Sequence, residues 1–134
     1  VTVIECAIAV IVQPETGRIL IAKRIEGDTY GGYWEFPGGK IKSAETPENC
    51  AVRETLEEVG LHIRVSKQLM TVEKELSENV LRLHFFECVA LTEMPAALQC
   101  SEVKWADPET LTEYKFPPAN EKIIDYIIKN SVCS

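Results

Sequence analysis

The chain opens with an almost continuously apolar, β-branched run, TVIECAIAVIV from Thr2 to Val12, which reads as a strand buried on both faces. Pro14-Glu15-Thr16-Gly17 follows as a turn, with proline fixing one φ and glycine free to take a positive one. Ile19 to Lys23 then forms the returning strand of a hairpin. Glycines 27, 31 and 32 mark a loop from Ile25 to Tyr33, ahead of a short Trp34-Glu35-Phe36 segment and Pro37-Gly38-Gly39, which reads as a tight turn needing φ > 0. Thr46-Pro47 has the chemistry of a helix start, a hydroxyl N-cap followed by proline, and Gly60 is the matching stop. Residues 62–75 and 79–91 predict two strands and 102–106 a short third. Asp107-Pro108-Glu109 opens a small helix. A last amphipathic helix, Asn120 to Lys129, follows Phe116-Pro117-Pro118, with Ile123, Ile124, Ile127 and Ile128 at core spacing. No repeat or linker interrupts this order, so residues 1–134 are expected to form one domain of the α+β class.

On a helical wheel, Val52, Leu56 and Val59 of the 46–60 helix share one face, which is the expected core face. Glu54, Glu57 and Glu58 lie on the opposite side at i, i+3, i+4, where like charges each cost about 0.2–0.5 kcal/mol. Arg53 reaches Glu57 at i+4 but does not neutralise three carboxylates. Two readings follow: a solvated charged face, or a set of oxygens for a hard cation such as Mg²⁺, which prefers carboxylates and keeps waters and substrate phosphates.

Composition narrows the setting. The 134 residues carry 14 basic and 21 acidic side chains, net −7, which disfavours binding to a nucleic-acid polymer. No apolar run is long enough to span a bilayer, no secretion signal is visible, and no obligate protein partner is evident. The cysteines at 6, 50, 88, 100 and 133 are odd in number and form no CxxC pair. That predicts buried thiols in a reducing, cytoplasmic setting. His62 and His84 have no second histidine at ligand spacing and read as structural or exposed. Cys50, close to the acidic face with no basic partner evident to lower its pKa, reads as a small filler rather than a nucleophile.

The spacing of the charged residues goes further. Gly39, five residues, Glu45, seven residues, then Arg53-Glu54-Thr55-Leu56-Glu57-Glu58-Val59-Gly60-Leu61 resembles the signature box of the Nudix hydrolases. The departure is Thr55, where that family usually has an aliphatic residue; threonine is close to isosteric with valine, so a small stability cost is expected. The order of the other elements resembles the Nudix α/β/α sandwich with a mixed β-sheet. The resemblance implies hydrolysis of a nucleoside diphosphate linked to another moiety. It implies that Glu54, Glu57 and Glu58 hold Mg²⁺ (or Mn²⁺ as a substitute), with the Gly38 carbonyl as a further ligand. Arg53 and Glu45 would orient those glutamates. Glycine at 38 would also let a carbonyl approach a metal closely. Glu102, three residues before Trp105, stands roughly where the family often supplies another metal ligand or general base; an exposed strand glutamate is the competing reading.

Within the family, the closest resemblance is to the MutT branch, which removes oxidised guanine nucleotides. Glu35-Phe36-Pro37-Gly38-Gly39-Lys40-Ile41 and Phe116-Pro117-Pro118-Ala119-Asn120-Glu121 carry it, as does Arg24 twelve residues before Phe36. The resemblance places Asn120 against the base and Phe36 on its face, although a strand phenylalanine is also a core residue. It places Glu78 and Asn79 beside the nucleoside, where the branch has an acid and an arginine; the arginine is absent here. A small-molecule nucleoside triphosphate is the expected partner, 8-oxo-dGTP first, CTP or a modified pyrimidine nucleotide as the alternative. ADP-ribose or diadenosine polyphosphate hydrolysis, and a recognition domain without catalysis, are the further alternatives.

Overall fold

The structure, a computed structural model, describes residues 1–130. Strand β1 (Thr2–Val12) organises it. It runs antiparallel to β2 (Ile19–Lys23) and to β4 (Gly38–Lys40), and parallel to β6 (Asn79–Ala90), from Thr2 opposite Asn79 to Val12 opposite Val89. β6 pairs antiparallel with β5 (Ile63–Glu75), whose register shifts at Val65/Lys67 and at Gln68/Met70. β2 also pairs with β3 (Trp34–Glu35) and with β7 (Glu102–Ala106). The result is a mixed sheet with the path β3-β2-β1-β6-β5.

Helices cover both faces, which is why β1 reads as a continuous apolar run. Cys6 and Val10 pack with Ile123, Ile124 and Ile127 of α2 (Glu121–Asn130). Ala7, Ala9 and Ile11 pack with Cys50, Ala51 and Val59 of α1 (Pro47–Val59). The architecture is therefore α+β, layered helix–sheet–helix. The small helix expected after Asp107 is a 3-10 turn, Pro108–Glu113, and a second such turn, Pro118–Asn120, leads into α2. No helix among the described residues is long and apolar enough to cross a membrane. Cys6, Cys50, Cys88 and Cys100 are free and buried as expected; Cys133 lies outside the described residues.

The caps of α1 follow the sequence. The Thr46 hydroxyl accepts the Asn49 N–H at 3.1 Å, and Gly60 at φ 66° donates its N–H to the Leu56 carbonyl. The buried face does not. Cys50, Ala51, Thr55 and Val59 are buried, Val52 is half-buried and Leu56 is 40% exposed. Small side chains on α1 meet the small Ala7 and Ala9 of β1, so the helix seats closely on that face, with Glu54 and Glu58 half-buried. Thr55 is thus in the core itself, and its hydroxyl has no hydrogen-bond partner. That costs about 1–3 kcal/mol, more than the small penalty expected for a valine isostere.

Candidate active site

The site forms where α1 crosses β4. Gly38 and Gly39 are extended strand residues, not a positive-φ turn. Their lack of a side chain serves close approach instead: a Cβ on Gly39 would collide with the Glu54 carboxylate, and one on Gly38 with the backbone of Ala7 and Ile8. β4 alternates its amides. Pro37 accepts the Ala9 N–H at 2.8 Å and Ile41 donates to Glu5 at 2.9 Å, while the Gly38 amide points the other way, 3.4 Å from Glu58 Oε1. In an antiparallel strand the N–H and C=O of one residue face the same side, so the Gly38 carbonyl borders the same carboxylates.

Glu54 and Glu58 are brought together there. Burial, then the hydrogen bond to Glu54, then the negative charges of Glu35 and Glu54, push Glu58 up to about 9 against the opposing Gly38 amide. Glu58 therefore keeps its proton at neutral pH when no cation is bound. Glu57 is exposed, one step round the helix, with its Oε1 accepting from Arg53 Nη1 at 3.2 Å. Among the described residues no three acidic side chains converge on one point. The expected trio is a half-buried pair plus one outer member.

Arg53 and Glu45 form the scaffold expected of them. Arg53 Nε and Nη2 donate to the two Glu45 oxygens at 2.6 and 3.0 Å. Arg53 also reaches Glu54 at 3.3 Å and the Lys40 carbonyl at 3.3 Å. The guanidinium, with the Lys42 amide, holds Glu45 down to about 2. Glu45 is presented by a tight turn in which Ala44 adopts φ 66°, a left-handed conformation costly for a residue with a Cβ. Cys50 is fully buried beneath this scaffold, its thiol 3.5 and 3.4 Å from the Gly39 and Lys40 carbonyls. A basic partner is present after all, Arg53 Nη2 at 3.7 Å, yet burial pushes the thiol up to about 11, so it is an inert filler.

Glu35 was not singled out in the sequence. Its signal lay in the alternation Trp34-Glu35-Phe36: the aromatic residues are buried on the α2 side, which turns Glu35 toward α1. Burial raises its carboxyl despite the Arg24 guanidinium 2.6 Å away. Arg24 is consequently engaged within the protein, also donating to the Thr29 carbonyl at 2.8 Å and lying 3.8 Å from Asp28.

The remaining expected residues are placed as follows. Phe36 is 2% exposed and stacked on Phe116 with centroids 5.1 Å apart, so its ring belongs to the core rather than to an open base platform. Asn120 is half-buried just before α2. It makes no side-chain cap; its Nδ2 donates to the Pro117 carbonyl at 3.3 Å, and its Oδ1 has no hydrogen-bond partner among the described residues. Glu78 is exposed at the β5–β6 turn and Asn79 opens β6, its carbonyl accepting the Leu76 N–H at 2.8 Å. Neither touches the α1 glutamates among the described contacts. Glu102 does not join them either. Val103 and Trp105 pack toward α1, and strand alternation turns Glu102 to the other face, opposite Lys23. His62 is exposed, while His84 Nε2 is 2.6 Å from Glu5 Oε1, a hydrogen-bonding position not legible in the sequence.

The donors bordering this site are all oxygens: the Gly38 carbonyl and the carboxylates of Glu54, Glu57 and Glu58. The raised Glu58 carboxyl, beside Glu54 and facing the Gly38 amide, marks a place where positive charge is required. The residues present therefore fit a hard divalent cation.

The chain matches the NUDIX domain across residues 7–126. An 8-oxo-dGTP diphosphatase of Escherichia coli strain K12 is 32% identical over 114 residues, 85% of this chain and 88% of that protein. A CTP pyrophosphohydrolase of the same strain is 30% identical over 112 residues, 81% of each protein. A MutT protein from Methanosarcina mazei Go1 has the same fold, with a TM-score of 0.82 at 24% identity over 96% of this chain and 94% of that one. The chain belongs to the Nudix hydrolases, as a MutT-like member that acts on phosphoanhydrides.

Proposed function

We propose that the chain is a Mg²⁺-dependent nucleoside triphosphate pyrophosphohydrolase that releases nucleoside monophosphate and pyrophosphate and clears 8-oxo-dGTP from the nucleotide pool. The observation that carries this reading is the geometry of Glu54 and Glu58, one carboxylate packed against Gly39 and the other facing the Gly38 amide. The cation would be held by the Gly38 carbonyl, Glu54, Glu57 and Glu58, with Mn²⁺ as a substitute. When bound, it supplies a Lewis acid for phosphoryl oxygens and lowers the pKa of an attacking water.

The chain's own groups set the conditions for that chemistry. Arg53, anchored by Glu45, holds one oxygen each of Glu54 and Glu57. Arg24 fixes Glu35, whose charge helps to keep the Glu58 proton in place until a cation replaces it. A protein of net −7 repels a bare polyphosphate, so cation and nucleotide are expected to bind together. Asn120, with an unpartnered Oδ1 and a second Nδ2 hydrogen, offers one acceptor beside one donor for a base edge. That pairing complements the O6 and N7–H of oxidised guanine; the N4–H and N3 of cytosine, the base suggested by the CTP-hydrolysing relative, offer the same donor–acceptor pair, and the substrate panel separates the two.

The test is a panel of 8-oxo-dGTP, dGTP and CTP with Mg²⁺, scored for kcat/KM and for pyrophosphate against orthophosphate. Highest kcat/KM for 8-oxo-dGTP with pyrophosphate release is expected. CTP as the best substrate would replace the guanine reading, and full activity in excess EDTA would overturn the metal reading.

A further inference from the structure

A cavity of about 560 Å³ opens on the α2 side of the sheet, with Val10, Ile19 and Ile127 among its walls. That volume lies within the range of about 300–1,000 Å³ typical of small-molecule sites. The sheet stands between it and the α1 carboxylates, because Val10 faces α2 while its neighbours Ala9 and Ile11 face α1. It is also separate from the Asn120 amide. Tyr126, Ile127 and Asn130 enter the cavity six to ten residues further along the chain, about 9–15 Å at a helical rise of 1.5 Å per residue.

The charge around this cavity is one-sided. Glu15, Glu87, Asp107 and Glu109 line it, and no lysine, arginine or histidine does. Arg18, from outside the lining, lies 3.2 Å from Asp107. The other three carboxylates make no ion pair among the described residues. Glu87 differs from the exposed rim acids. Strand alternation sets it on the same face of β6 as Leu83 and Phe85, across from Val10 of β1, and it is half-buried there. A half-buried carboxylate on an apolar sheet face has given up part of its water and gained no counter-charge, which leaves it complementary to a cation.

We propose that this cavity binds a small organic cation with an apolar body, of the arylalkylammonium kind. The ammonium would meet Glu87 and the acidic rim, while the body rests on Val10, Ile127 and the half-buried Tyr126 ring. Both parts are needed. An inorganic cation gains nothing from the apolar walls, and a neutral apolar compound leaves Glu87 without a partner. The site uses neither the α1 glutamates nor Asn120, so it stands apart from the nucleotide hydrolysis proposed above.

The test follows methyl resonances of the full metal-free chain during titration with tryptamine, an ammonium at neutral pH, and with indole-3-ethanol, its neutral counterpart of equal chain length. Tryptamine is expected to shift the methyls of Val10, Val12, Ile19 and Ile127, leave those of Val59 and Leu61 on the α1 side unmoved, and bind about tenfold more tightly than the alcohol. Glu87→Gln should weaken tryptamine about tenfold and leave the alcohol unchanged, which brings the two compounds level. Equal affinity for both compounds in the parent protein would overturn the proposal, and that comparison needs no variant. So would the absence of shifts at the four cavity residues, shifts confined to Val59 and Leu61, or a parent-like tryptamine affinity in Glu87→Gln.

Discussion

Glu54 occupies the space that a side chain at Gly39 would need. The two residues come from α1 and β4, and their contact brings the carboxylate against the strand backbone. Gly39→Ala would meet only the end of a flexible side chain, which moves aside. Turnover is therefore expected to fall by about 100-fold, because the displaced group is a cation-binding one, with stability within about 1 kcal/mol of the parent. Gly38→Ala meets the backbone of Ala7 and Ile8 instead and is expected to cost about 2 kcal/mol or more. Paired activity assays and denaturant titrations check this; equal losses of stability in both variants would show that the Gly39–Glu54 contact has no special bearing on the site.

The parts of this site that were legible in the sequence are those fixed by local chemistry or by spacing along one helix. Thr46, Pro47 and Gly60 bound α1 because capping is a short-range matter, and Arg53 reaches Glu57 because i+4 neighbours always meet. What was not legible depends on packing between distant segments. Helical periodicity gives most weight to large apolar residues such as Leu56, whereas contact with Ala7 and Ala9 selects Cys50 and Ala51. Adjacent glycines suggest a turn when only torsions are considered, yet Gly38 and Gly39 are extended and serve close approach. Phe36 looked available to a base until Phe116, far along the chain, covered it.

The raised Glu58 carboxyl predicts how stability varies with pH. Glu58 keeps its proton up to about 9 in the folded protein, against an ordinary value of 4.5. Between those values the unfolded chain binds fewer protons, so the stability of the metal-free protein falls as pH rises through this window and levels off above it. Glu58→Gln retains a neutral group of the same shape and should remove that slope, matching the parent near pH 4 and exceeding its stability near pH 9. Its turnover should drop by about 100-fold or more, since an amide does not replace an anionic ligand. Mg²⁺ added to the parent at neutral pH should release a proton, read by calorimetry in buffers of different ionisation enthalpy, with affinity rising toward pH 9. Binding without proton release would contradict the pairing of Glu54 with Glu58.

Thr55 predicts a stabilising substitution next to the machinery. Its side chain is wholly buried and its hydroxyl unpartnered. Thr55→Val keeps the shape and removes the polar atom, so a gain of about 1–2 kcal/mol and a Tm higher by about 2–6 °C are expected, with kcat unchanged. A Tm at or below that of the parent would mean that the hydroxyl is satisfied in solution.

Base choice rests on Asn120. The Pro117 carbonyl takes one Nδ2 hydrogen and steadies the amide, leaving the second hydrogen and Oδ1 side by side. Guanine presents two acceptors, O6 and N7, on the matching edge. Oxidation at C8 turns N7 into an N–H donor, and the edge then complements the amide. Ordinary guanine would set the amide oxygen against the N7 lone pair, a buried mismatch of about 1–3 kcal/mol, or roughly 10-fold to 100-fold in kcat/KM. Asn120→Ala is therefore expected to shrink the preference for 8-oxo-dGTP over dGTP by that factor, chiefly by weakening the oxidised nucleotide. Because Asn120 makes no side-chain cap to α2, Tm should change by less than about 2 °C. An unchanged substrate ratio alongside a lowered Tm would make the residue a structural element of the Pro117–Asn120 turn and remove it from the base pocket.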